Sequence, residues 1–205
     1  MGTILRSALI VLAIAAAVSG ATTAYFSDSE TSHNNTFTAG TLDLAVDGEN
    51  PLAHAKFAVT NMHPGESTQG IYRLTNTGSI DGYVDIASLT VTSQENGCNE
   101  PETTAGDATC GTPGAGEGEL AQFVQVQLFE DAGCDGAVSS GDTVFYSGLV
   151  KDVPSSFELN TALAAGGALC ISARFDWPST AQDNLAQGDG MQLDLAFELA
   201  QTTAQ

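Results

Sequence analysis

The chain has 205 residues, of which 25 are acidic and 5 basic, for a formal net charge of −20 at pH 7. So negative a surface repels nucleic acid and anionic membranes, which excludes both as partners, and it favours divalent cations or a salty medium; a halophilic source is the expectation. At the start of the chain, Arg6 precedes the apolar run Ala8–Val18. That run suits a secretory signal and falls short of the roughly 20 residues a bilayer span needs. Thr22 and Ala24 put small side chains before the Ala24/Tyr25 bond, the predicted cleavage site, so residues 1–24 are read as a signal peptide. Cleavage leaves 205 − 24 = 181 residues, enough for one sandwich or barrel domain, with no membrane contact after processing.

Beyond the signal the pattern is of strands and turns, with no helical period. Residues 37–46 (FTAGTLDLAV) alternate, and 54–60 (HAKFAVT) follow; Pro64-Gly65 is a turn, then come 69–76 (QGIYRLTN) and 83–92 (YVDIASLTVT). Residues 93–118, rich in Gly, Pro and Glu, read as a long loop. Residues 123–129 place Val124, Val126 and Leu128 on one face, and 143–150, 168–177 and 191–199 complete the strands, with 157–163 open between strand and short helix. Eight or nine strands at this spacing predict an all-β sandwich, and a jelly roll is the common way to arrange them.

Four cysteines, Cys98, Cys110, Cys134 and Cys170, predict two disulfides in an exported chain. Three connectivities are open. Cys98 with Cys110 and Cys134 with Cys170 is preferred, because the first pair closes the Gly-rich loop and the second joins a loop to a later strand. No C-x-x-C or Cys/His cluster favours zinc. Acidic residues in Gly-rich loops, Glu130, Asp131, Asp135, Asp142, Asp183 and Asp189, are the candidate metal ligands, and calcium is the cofactor such hard oxygens would take. Catalytic motifs are missing: His33, His54 and His63 have no H-E-x-x-H neighbourhood, and no G-x-S-x-G occurs. A sugar site would offer exposed aromatics, and Trp177, the one tryptophan, is read as core or rim.

Ala24-Tyr25-Phe26-Ser27-Asp28, followed by Asn35-Thr36-Phe37-Thr38-Ala39-Gly40-Thr41-Leu42-Asp43-Leu44, resembles the opening of the TasA/camelysin family. Gly65, the stretch Leu74-Thr75-Asn76-Thr77-Gly78-Ser79 and the closing Asn184-Leu185-Ala186-Gln187-Gly188-Asp189 extend the likeness over the whole chain. The resemblance implies a jelly-roll domain (36–205), export through a dedicated signal peptidase, and assembly into extracellular pili or biofilm-matrix fibres. It further implies that residues 25–35 are a donor strand, made of Tyr25, Phe26, Ser27, Asp28, Ser29, Glu30, Thr31, Ser32, His33, Asn34 and Asn35, which completes the sheet of a neighbour. The segment is polar behind its aromatic tip and lacks Pro and Gly, as strand addition requires. The partner is then a second copy of the chain, joined head to tail in an open homopolymer. Asn34 heads the one N-x-S/T sequon, where a glycan would obstruct docking. The alternatives are a camelysin-like metallopeptidase, the label some relatives carry, or a monomeric carbohydrate-binding jelly roll.

Overall fold

A computed structural model of the chain describes residues 40–49, 57–59, 62–180 and 182–202. The predicted signal peptide, its cleavage site, the donor segment, the sequon at Asn34 and the ends of the first two predicted strands (37–39, 54–56 and 60) lie outside the described residues.

Alternation of apolar and polar side chains produces strands wherever one face can be buried. They are β1 (Leu44–Val46), β2 (Phe57–Val59), β3 (Ser67–Asn76), β4 (Gly82–Glu95), β5 (Gly114–Ala115), β6 (Gln125–Glu130), β7 (Thr143–Leu149), β8 (Phe157–Leu163), β9 (Ala168–Asp176) and β10 (Gly190–Ala200). The open segment 157–163 is therefore a strand. One sheet runs β1-β3-β9-β6-β7; the other runs β2-β10-β4-β5, with β8 also paired to β4. All the pairings are antiparallel. Without the short β1 and β5, the order is β3-β9-β6-β7 against β2-β10-β4-β8, with the chain crossing repeatedly between sheets. That is the jelly-roll sandwich.

The core lies between the sheets. Val84, Ile86 and Leu89 of β4 and Leu193 of β10 meet Leu74, Val126, Leu128, Ile171 and Phe175 of the facing sheet. Side chains so fully enclosed cost about 2–5 kcal/mol each on truncation to Ala. On the far face of β9, the 131–142 loop folds back and is tied by the Cys134–Cys170 disulfide, which explains why adjacent Leu128 and Phe129 are both buried. The second disulfide is Cys98–Cys110, so the preferred pairing is the observed one.

The 93–118 region departs from the predicted loop. β4 runs on to Glu95, β5 pairs with its end, and Glu100–Ala105 form a helix, α1. The Asn99 side chain accepts from the Glu102 N–H, the Glu102 carboxylate accepts from the Asn99 N–H, and Pro101 sits in the first turn. This reciprocal capping stabilises a helix too short to show a period. A second short helix, α2 (Leu120–Phe123), precedes β6. Pro64 and Gly65 form the predicted turn: Glu66 N–H donates to His63 O at 3.0 Å, and Gly65 has φ +87°. That is the type II arrangement, where glycine suits the third position.

Candidate functional site

Two of the sequence motifs turn out to hold each other. Ser79 N–H donates to Thr41 O (2.8 Å), Thr77 N–H donates to Asp43 O (2.7 Å), and Thr41 N–H donates to Ser79 Oγ (3.0 Å). Asn76, fully buried, sits behind this clamp. Its Nδ2 donates to Ile80 O (2.8 Å) and Leu163 O (3.2 Å), and its Oδ1 accepts from Gly78 N–H (3.0 Å). The G-T-L-D-L lead-in is thereby seated on the L-x-N-x-G-S turn as β1 joins β3.

Cover changes along one face of β10. β4 pairs with all of it, but β2 pairs only with Met191, Gln192 and Leu193. From Asp194 to Ala200 the outer edge has no strand partner among the described residues. Met191 and Leu193, beside β2, are 3% and 0% exposed, whereas Leu195, Phe197 and Leu199 on the same face are only partly buried. Tyr72 of the facing sheet packs edge-on against Phe197, centroids 5.3 Å apart, and closes the bottom of this opening.

At the opposite end of β10 lies a buried group of carboxylates. The ladder sets Gly190 opposite Gln94, so Glu95 and Asp189 leave their strands side by side. α1 adds Glu102, and the loop closed by Cys98–Cys110 adds Asp107. Glu119 comes from the residue before α2, its N–H donating to Asp189 Oδ2 at 2.6 Å. Asn96 and Asn99 donate from their side-chain amides to the carbonyls of Gly188 and Gln187, which pins the lead-in of β10 to the loop. Glu95, Glu102 and Asp189 are 1%, 0% and 5% exposed. Burial, against a hydrogen bond from the Glu119 N–H and reinforced by repulsion from Glu95, Glu119 and Glu102, pushes the Asp189 carboxyl up to about 7. Burial also raises Glu102 and Glu119, with neighbouring carboxylates adding to the effect in each case.

The sequence profile described as camelysin metallo-endopeptidase matches residues 1–108, spanning both halves of the clamp and three of the five carboxylates. The chain belongs to the camelysin family. No curated protein matches it. The camelysin description implies a catalytic metal, and the described residues do not fit one of the zinc-peptidase kind. Zinc in such sites takes histidine with an open position, while the converging groups here are carboxylates shut away from solvent. His63 is exposed on the Pro64-Gly65 turn, 3.6 Å from Glu66, and Cys110, though near Glu102 and Asp107, is in a disulfide.

Of the six predicted ligands, the camelysin fold brings Asp189 alone into a group of three or more potential ligands within 4.8 Å, among the described residues. The others accept hydrogen bonds from neighbouring loops and strands, although Asp131 Oδ1 is left buried without a partner. Asp131 Oδ2 accepts from Gly136 N–H and Ser172 Oγ, Asp135 from Ala137 N–H, Asp142 from Ala132 and Ser139 N–H, and Glu130 from Thr161 Oγ1. Asp183 accepts from Trp177 Nε1 and from Thr180 and Ser179. Trp177 is 2% exposed, so its indole is core and offers no platform for a sugar. Glu95, Glu102, Asp107 and Glu119 were missed by sequence reasoning; the N-E-P-E capping signal (Asn99–Glu102) and the acidic residues flanking a Cys-closed loop were the cues.

Proposed function

We propose that the chain is an exported structural subunit that polymerises head to tail into an extracellular filament, with residues 25–35 of one copy adding to the β10 edge at 194–200 of the next. What supports this reading is the loss of cover from Leu193 to Leu195, Phe197 and Leu199 on one face of one strand. A strand laid along 194–200, where no partner strand lies among the described residues, would pair that backbone and bury those three side chains. Tyr25 and Phe26 supply apolar anchors, and Ser27 through Asn35 supply a polar outer face. Donor and acceptor are different surfaces, so the contact is heterologous and propagates. Membership of the camelysin family supports export, and cleavage at Ala24/Tyr25 by a signal peptidase would free the tip. On this reading the chain is not an enzyme.

The test is electron microscopy of the purified mature protein beside a deletion of residues 25–35. Filaments that vanish on deletion are the expected result. Filaments that persist would overturn the donor role, and monomers from both would overturn polymerisation. EDTA-sensitive cleavage of casein would move the peptidase alternative forward, and retention of a monomer on immobilised sugar the lectin alternative.

A further inference from the structure

The five carboxylates at the Glu95 end of β10 share one pattern. In each, one oxygen is held by a protein donor: Glu95 Oε1 by Gly97 N–H, Glu102 Oε2 by Asn99 N–H, Asp107 Oδ1 by Thr109, Glu119 Oε1 by Thr109 Oγ1, and Asp189 Oδ2 by Glu119 N–H. The other oxygen of each is buried without a hydrogen-bond partner: Glu95 Oε2, Glu102 Oε1, Asp107 Oδ2, Glu119 Oε2 and Asp189 Oδ1. Three of these residues are more than nine-tenths enclosed. Bare, buried carboxylate oxygens are costly, and five together repel.

Convergence turns this cost into a specification. Ligand oxygens of Glu95, Glu102 and Asp189 lie within 4.8 Å of one another, as do those of Glu95, Asp107 and Glu119, so Glu95 belongs to both sets. That span is about twice a calcium–oxygen distance. The ion pairs among the described residues are His63–Glu66, Lys151–Asp152 and Arg174–Asp176, so none supplies a cation here.

We infer that this centre binds calcium, its ligands drawn from two sets that share Glu95, one with Glu102 and Asp189 and the other with Asp107 and Glu119. Calcium accepts six to eight oxygens in flexible geometry, whereas magnesium keeps most of its water and does not call for a protein cage of anionic oxygens. The anchored oxygens hold each side chain in place while leaving its second oxygen for the ion. Bound calcium would join the Cys98–Cys110 loop to the lead-in of β10, remote in sequence. The inference is independent of polymerisation: a monomer that binds calcium satisfies it as well as a filament does.

The test is calorimetric titration of the purified protein, stripped with EDTA and returned to chelator-free buffer of fixed ionic strength, with CaCl2 and separately with MgCl2, beside thermal unfolding. Saturable calcium binding is expected, with a Tm rise of roughly 5–10 °C at a hundredfold excess over Kd. Glu102→Gln and Asp189→Asn should each weaken binding by about 10–100-fold or more, the loss that even outer-shell partners of metals cause. In EDTA, Glu102→Gln should unfold no lower than the unaltered chain, because it relieves repulsion, an outcome opposite to that of a merely structural carboxylate. Asp142→Asn, in the other acidic loop, should bind normally. Should Glu102→Gln fail to fold, Glu119→Gln takes its place. No saturable binding, binding unchanged in the Glu102 and Asp189 variants, binding lost in Asp142→Asn, or an equal response to magnesium would each overturn the assignment.

Discussion

Asp183 lies at the start of a 3-10 turn, Asp183–Ala186, where its carboxylate gathers the indole N–H of Trp177 (3.2 Å), the Thr180 N–H (2.6 Å), the Thr180 hydroxyl (2.7 Å) and the Ser179 hydroxyl (3.3 Å). Burial alone would raise its pKa, but the bonds from Thr180, Trp177 and Ser179 outweigh burial and hold the carboxyl below its ordinary value of 3.8. A group depressed in the folded state contributes stability that is present above its unfolded pKa and is lost as pH falls through the folded one. Asp183→Ala should therefore cost about 2 kcal/mol at neutral pH, since it also leaves the buried Trp177 Nε1–H unpaired. The deficit in Tm relative to the unaltered chain should stay level from about pH 7 down to the ordinary aspartate range and narrow only below it. A deficit that narrowed already between about pH 7 and 5 would mean that the carboxylate is not held this way.

The β1–β3 junction shows at the level of elements why a short motif is specific. At Gly78 a Cβ would stand 2.1 Å from Thr41 O, 2.8 Å from Asp43 N and 2.9 Å from Thr41 C, all backbone. Nothing flexible can give way, so Gly78→Ala must separate β1 from the turn or break the Asn76 bonds behind it. Either route costs about 2–4 kcal/mol, and urea melts should show it as a lowered midpoint with little change in slope. An unchanged midpoint would mean that the clamp is not needed by the folded domain. Both partners of this junction are contiguous motifs visible in the residues, but that they hold each other was not. The strands of Val126 and Leu128 or of residues 191–199 were legible from alternation, although the first starts at Gln125 because Phe123 ends α2. α1 was not, since six residues cannot display a 3.6-residue period and only Asn99, Pro101 and Glu102 announce it. The carboxylate centre was least legible of all. Adjacency in sequence singled out Glu130, Asp131, Asp135 and Asp142, but convergence follows from pairing Gly190 with Gln94 and closing a loop through Cys98 and Cys110.

Across the whole molecule, 25 acidic residues face 5 basic ones, so carboxylates far outnumber the cations that could pair with them. Lys151–Asp152 is exposed, and Arg174–Asp176 is part of a small network in which Ser67 Oγ also donates to Asp176. Exposed pairs are worth about 0–1 kcal/mol each, so salt has little attraction to weaken and much repulsion to relieve. This decides the sign: with divalent ions chelated, Tm should rise as NaCl is added, most steeply between about 0.01 and 0.1 M, where the Debye length falls from about 30 to 10 Å. Pure screening is nearly complete by about 1 M, where that length is about 3 Å. A further rise above it would come from preferential hydration of the acidic surface, which is what a halophilic origin predicts. A plateau would assign the charge to screening and cation binding instead. A Tm that fell with salt would mean that attractive pairs, and not the carboxylate excess, dominate the electrostatics of folding. Keeping EDTA present separates this response from that of the Glu95 centre, whose ligands should respond to calcium far below the concentrations at which NaCl acts.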